Sequence, residues 1–180
     1  MMDTLTSTVH MGTLQRAPLS PRPEQGETGK KVKAVALLSG GLDSTLAINV
    51  VKAQGIDVVA LNFSTVFCLC NRSDSCKSEA KKVSEALGIP IKVLNITDSF
   101  LKIVKKPKHG YGKNMNPCID CRINMFRMAG EYMREIGASF IITGEVLGQR
   151  PMSQRKIAMK TIEREAGLEG LVLRPLCAKH

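Results

Sequence analysis

Short apolar runs alternate with stretches of helical spacing along most of this chain. The runs are Val32 to Leu38, "IDVVALNF", "IKVLNI", "SFIITG" and "GLVLRPL". Runs this short, bounded by turn residues, read as strands buried on both faces. Between them lie "STLAINVVKAQG", "SDSCKSEAKKVSEALG", "IDCRINMFRMAGEYMREIG" and "SQRKIAMKTIEREAG", each with a helical apolar period and each ending on glycine. A long loop, "KKPKHGYGKNMNP", precedes the third of these. This alternation predicts a doubly wound α/β fold, a five-stranded parallel sheet with helices on both faces. Such sheets bind ligands beyond the carboxyl ends of their strands, near the point where strand order reverses. "SGGLDST", "NFSTVFCLC" and "GEVLGQ" leave strands at those ends. No internal repeat is evident.

Residues 1–29, with "APLSPRPEQGETGK", carry no apolar period and are expected to be a disordered extension. The domain is expected to span 30–180. No apolar run is long enough to cross a membrane, and no secretory leader is visible. A cytoplasmic location is expected, with the six cysteines reduced and suited to metal binding or catalysis before disulfides.

The net charge of +10 is uneven: residues 100–160 hold twelve Lys and Arg against four Asp and Glu. A polyanionic partner fits that excess. Two tyrosines and no tryptophan make a poor stacking platform for single strands. A folded RNA gripped by its phosphates fits better. Lys105, Lys106, Lys108, Lys113, Arg150, Arg155 and Lys156 are the candidate contacts, with plain solubilising charge the alternative for each.

"SGGLDST", Ser39 to Thr45, joins a buried strand to a helix start. Gly40 and Gly41 allow a tight turn and a close ligand approach. Free N–H groups and the helix dipole favour an anion there. Ser39, Ser44 and Thr45 add hydroxyls. Asp43 repels phosphate and suits a magnesium ion that bridges phosphates. The lysine of the Gly-x4-Gly-Lys-Ser/Thr loop is missing. The bland alternative is a glycine turn with an Asp-Ser helix cap. The stretch resembles the PP-loop of the ATP pyrophosphatase superfamily. That resemblance implies cleavage of ATP between its α and β phosphates and adenylation of a substrate.

Two later stretches narrow the resemblance. "TGEVLGQRPMSQ" resembles the "TGExLGQxxSQ" stretch of tRNA 4-thiouridine synthases, with one extra residue between Gln149 and Gln154. "NPCIDC" resembles the "NPDxxC" motif of tRNA 2-thiouridylases and the CxxC of cluster-dependent tRNA thiolases. The resemblance spans about residues 32–176. It implies that Leu37 and Leu38 border the nucleotide and that Asn62 and Phe63 sit beside adenine. It also implies that Arg122 lies near ATP, that Gly144 admits adenosine, and that Gln154 is a further contact. The residues alone leave alternatives: a solvated charge for Arg122, core packing for Phe63, and capping for Gln149 and Gln154. Glu145 could orient magnesium or ribose, or form an ion pair.

In the 2-thiouridylase pattern the cysteine at the position of Cys121 is catalytic. Cys118 stands where that pattern has Asp. Both lie at a helix start beside Arg122, which should lower a thiol pKa. A CxxC pair is half of a tetrahedral site. Cys68, Cys70 and Cys76 are candidate further ligands. Three thiolates would hold a 4Fe–4S cluster with one iron free; four would close a zinc site. A persulfide relay and inert thiols remain alternatives. Cys177 is expected to be isolated.

Together these resemblances imply an enzyme that adenylates a tRNA uridine carbonyl and then replaces AMP with sulfur. A separate sulfur donor and an RNA-binding domain or subunit are implied partners, because the chain stops at "RPLCAKH" and is expected to be shortened there. The alternatives are a deazaguanine-synthase type of adenylating enzyme with structural zinc, and a nucleotide-binding scaffold without turnover.

Overall fold

The structure, a computed structural model, describes residues 31–66 and 75–177, within the compact unit Lys31–His180. The expected disordered extension, Cys68 and Cys70 lie outside the described residues, and the side chain of Cys76 does also.

Five strands form one parallel sheet: β1 (Lys33–Leu37), β2 (Asp57–Ser64), β3 (Ile91–Asn95), β4 (Phe140–Thr143) and β5 (Val172–Leu173). Their order is β3-β2-β1-β4-β5. Chain order runs outward from β1 through β2 to β3, then crosses back to β4 on the other side. The switch point therefore lies between β1 and β4, where Leu37 pairs with Thr143.

Successive residues of β1 point to opposite faces and sort the core in two. Ala34, Ala36 and Leu38 pack with Ala47, Ile48 and Val51 of α1 (Leu42–Lys52) and Ala80 of α2 (Ser75–Leu87). Val35 and Leu37 pack with Ile123, Phe126, Ala129 and Met133 of α4 (Cys118–Glu135) and Ile162 of α5 (Lys156–Ala166). Helices thus cover both faces, as expected. Gly167 ends α5 at φ +68°, and Leu168 N–H bonds back to the Glu163 carbonyl, a glycine-terminated helix end.

Three elements differ from the sequence expectation. A nine-residue helix α3 (Thr97–Lys105) follows β3, where no element was expected, and it buries no residue fully. Asn95 Oδ1 accepts the Thr97 N–H at 2.9 Å and turns the chain into it. α5 starts at Lys156, because Ser153 and Gln154 are buried in the preceding turns. β5 keeps two residues.

Candidate nucleotide site and cysteine pair

A cavity of about 260 Å³ opens at the switch point. Leu37, Leu38 and Ser39 enter it from β1, and Leu61, Asn62 and Phe63 from β2. Gly41, Asp43 and Ser44 come from the phosphate loop; Thr143, Gly144 and Glu145 come from the end of β4. Arg122 and Met125 project from α4, and Gln149, Arg150 and Gln154 from the turns before α5. The fold therefore gathers the predicted nucleotide residues into one cavity, with two exceptions. Gly40 and Thr45 do not line it.

Gly40 acts on the loop's shape. Its φ is +85°, and a Cβ there would stand 3.1 Å from Glu79 Cβ. Thr45 Oγ1 and Ser44 Oγ donate to the Gly41 carbonyl at 3.0 and 2.9 Å and fasten the start of α1. Gly144 has a role the sequence reading did not assign. A Cβ on it would lie 2.5 Å from Ser44 N and 2.7 Å from the Asp43 carbonyl oxygen. Its missing side chain lets the end of β4 press directly on the phosphate loop. Asn62 is buried and donates to the Leu38 carbonyl at 2.8 Å, tying the ends of β1 and β2 together. Gln149 Nε2 donates to Asp43 Oδ2 at 3.1 Å across the cavity mouth. Gln154 is buried, and its Oε1 accepts the Arg150 N–H at 3.0 Å, so it shapes the cavity wall.

Glu145 forms an ion pair, one of the alternatives left open by the sequence. Its side chain is 1% exposed, and Arg122 Nε and Arg174 Nε hold its two oxygens at 2.8 and 3.1 Å. Arg174 also pairs with Glu163 of α5. Arg122 is thus neither a free surface charge nor freely rotating: Glu145 fixes it at the cavity wall. Arg174 carried no signal in sequence, because its partners lie 29 and 11 positions away. Cys177 is not isolated, contrary to expectation. Its thiol donates to the Glu145 carbonyl at 3.3 Å and accepts the Leu147 N–H at 3.1 Å, bracing the turn after β4.

Cys118 and Cys121 open α4 behind Pro117, which needs no N–H at a helix start. Neither lines the cavity, but Arg122 and Met125, on the same helix, do. Cys121 Sγ contacts Met125 Sδ at 3.9 Å. The expectation of a lowered Cys121 pKa is corrected. Burial pushes the thiol up to about 11 and outweighs the charge of Arg122, while Cys118 adds to the rise. Among the described residues no group of three His, Cys, Asp or Glu is placed to hold a metal ion. No helix of the described residues is long and apolar enough to cross a membrane.

A second polar cluster adjoins the pair. Asp120, between the two cysteines, accepts from the His109 backbone N–H at 2.9 Å and faces His109 Nδ1 at 3.0 Å. His109 Nε2 faces Glu165 Oε1 of α5 at 3.1 Å, and Lys108 pairs with Glu165 Oε2 at 2.7 Å. Burial raises the Asp120 pKa, but the hydrogen bonds and charge of His109 outweigh it and leave it below the ordinary value. Glu165 is lowered chiefly by its bond from Lys108.

The chain is similar to several known proteins. A tRNA-specific 2-thiouridylase of Bradyrhizobium sp. (strain ORS 278) is 31% identical over 148 residues, covering 76% of this chain and 36% of the relative. One from Clostridium beijerinckii is 34% identical over 126 residues, covering 63% and 35%. The chain thus spans little more than a third of these relatives. A 4-thiouridine synthetase solved with RNA and bound ATP superposes with a TM-score of 0.70 at 27% identity, covering 82% of this chain and 37% of that one. The U34-tRNA thiolase NcsA from Methanococcus maripaludis shares the fold, with a TM-score of 0.52 at 22% identity over 76% of this chain and 45% of that one. The family profile described as "Thiamine biosynthesis protein (ThiI)" matches residues 29–180, and the chain belongs to that family.

Proposed function

We propose that this chain is the adenylating domain of a tRNA uridine-thiolating enzyme. One observation carries the proposal: the cavity at the switch point is walled by the phosphate loop on one side and by Arg122 on the other, and Arg122 is the next residue after Cys121. A nucleotide in this cavity would lie beside the helix that bears the thiol pair. Two kinds of relative support the substrate, since their names describe enzymes that thiolate tRNA uridine or bind RNA and ATP.

In this scheme the phosphate loop holds the ATP phosphates through Ser39, Gly41 and Ser44. Asp43 suits a magnesium ion (Mg2+), which would neutralise the phosphate charge when bound. Arg122, fixed by Glu145, faces the α-phosphate. The uridine carbonyl oxygen attacks that phosphorus, pyrophosphate leaves, and sulfur then displaces AMP at carbon. Cys121 is the proposed carrier. An external persulfide donor passes its outer sulfur to the Cys121 thiolate, and that sulfur displaces AMP to leave a Cys121–uridine disulfide. The Cys118 thiolate attacks Cys121 Sγ, releasing thiouridine and leaving a Cys118–Cys121 disulfide that an external thiol reduces. Exposed Lys105, Lys106, Arg155 and Lys156 are proposed tRNA phosphate contacts. Lys108 is occupied by Glu165, and Arg150 lines the cavity.

Cys118 and Cys121 supply two thiols of a metal site, which alone fits neither a 4Fe–4S cluster nor zinc. Cys68, Cys70 and Cys76 are the proposed additional ligands, and no step here is routed through a metal. One observation favours the deazaguanine-synthase type of reading with structural zinc. A half-buried thiol held at a pKa of about 11 is a poor free nucleophile but a sound metal ligand once deprotonated by the metal.

The test is nucleoside analysis of tRNA incubated with the protein, ATP, a persulfide donor and a thiol reductant. Thiouridine should form with the wild type and not with Cys121→Ser, which should still bind ATP. Thiolation at the wild-type rate by Cys121→Ser would remove Cys121 from the mechanism.

A further inference from the structure

We propose that His109 is a positioning residue for the cysteine pair: it bolts Asp120 to Glu165 and thereby holds the first turn of α4 closed over Cys121. This deepens the proposed sulfur chemistry and rests on it for its purpose, although the closure itself is independent of that chemistry.

Three elements meet at one ring. The loop before α4 contributes His109 and Lys108, α4 contributes Asp120, and α5 contributes Glu165. Arg127 of α4 adds two bonds to the Glu165 backbone carbonyl, at 3.1 and 2.9 Å, so α5 is already anchored where the ring meets it. Asp120 sits one residue from Cys121 and two from Cys118. Whatever holds Asp120 therefore sets the position of both sulfurs. The His109 ring faces a carboxylate from each nitrogen, so one side chain joins Asp120 of α4 to Glu165 of α5.

The loop between His109 and α4 is held in a conformation it would not choose alone. Asn114 and Met115 both take positive φ, +57° and +55°, and Met115 is 70% exposed, so no packing compensates it. Tyr111 Oη donates to the Val104 carbonyl at 2.6 Å, and Gly112 N–H to the Asn116 carbonyl at 2.8 Å. The loop is tied at several points, and among the described residues its side-chain bonds to α5 are those of His109 and Lys108 to Glu165. Freed at His109, it can relax and carry Asp120 with it.

The experiment is site-resolved alkylation of the reduced, metal-free full chain with iodoacetamide, read by peptide mass spectrometry for Cys121 and Cys177. His109→Ala, which removes both ring contacts, should raise the Cys121 rate about tenfold over wild type at the same pH. Cys177, braced elsewhere, should not change. The variant-to-wild-type ratio at one pH cancels the chemistry of the thiol itself. Asp120→Asn, which keeps the shape and loses the carboxylate, should match His109→Ala. A Cys121 ratio of one throughout would overturn the proposal. So would an equal rise at Cys177, which would mean general loosening. Because alkylation needs neither ATP nor tRNA, its failure is distinct from failure of the thiolation reading.

Discussion

Gly144 shows how one missing side chain joins two parts of a site. Its absent Cβ is what allows the end of β4 to touch the backbone of Asp43 and Ser44. Backbone cannot yield as a flexible side chain can, so Gly144→Ala should cost about 2 kcal/mol of stability. It should also weaken ATP binding at least tenfold while leaving the helices intact, as measured by urea unfolding and titration calorimetry. An unchanged affinity would mean that the loop tolerates displacement. The cavity's residues were legible to different degrees. Ser39 to Thr45 could be found because seven contiguous residues carry the signal. Glu145 and Gln149 could not be given their partners, because Arg174 lies 29 residues from the first and Asp43 lies 106 from the second. The resemblance placed Gly144 at the cavity but not its reason, which is a contact between distant backbones.

At the scale of elements, α4 connects the two halves of the site: cysteines at its start, Arg122 next, and the sheet-packing face of Ile123, Phe126 and Ala129 beyond. Its helical period was plain in sequence. The Cys121 pKa was not, because helix position and Arg122 argue one way and burial, a tertiary property, argues the other. A thiol raised in the fold binds its proton more tightly when folded than when unfolded. Its stabilising share is complete below the unfolded pKa and disappears as pH rises through the folded one. Stability should therefore fall between pH 9 and about 11, and Cys121→Ser should remove that part of the fall in denaturant titrations. Equal slopes in both proteins would contradict the sheltered thiol. Glu145→Ala, which strips a buried carboxylate from two arginines, should destabilise by about 3 kcal/mol or more in the same assay. A change below 1 kcal/mol would mean the arginines find water. Helix α3 was not separated from its surroundings in sequence because it is only nine residues long and follows β3 after one residue, so its apolar positions run on from those of the strand.

For the whole domain, alternation of strand and helix sufficed to predict a parallel sheet covered on both faces. It also pointed to the carboxyl ends of the strands, where the cavity opens. The order β3-β2-β1-β4-β5 adds what alternation cannot: the reversal falls beside the strand that feeds the phosphate loop. That coincidence puts the cavity, Arg122 and the cysteine helix at one edge. The central claim is that this edge splits ATP between its α and β phosphates on behalf of RNA. The most direct measurement is product analysis of labelled ATP with and without tRNA, using wild type and Asp43→Asn. The account predicts AMP and pyrophosphate in tRNA-dependent amounts from the wild type, and at least a hundredfold less from Asp43→Asn. ADP and phosphate as products, or wild-type pyrophosphate release by Asp43→Asn, would contradict it.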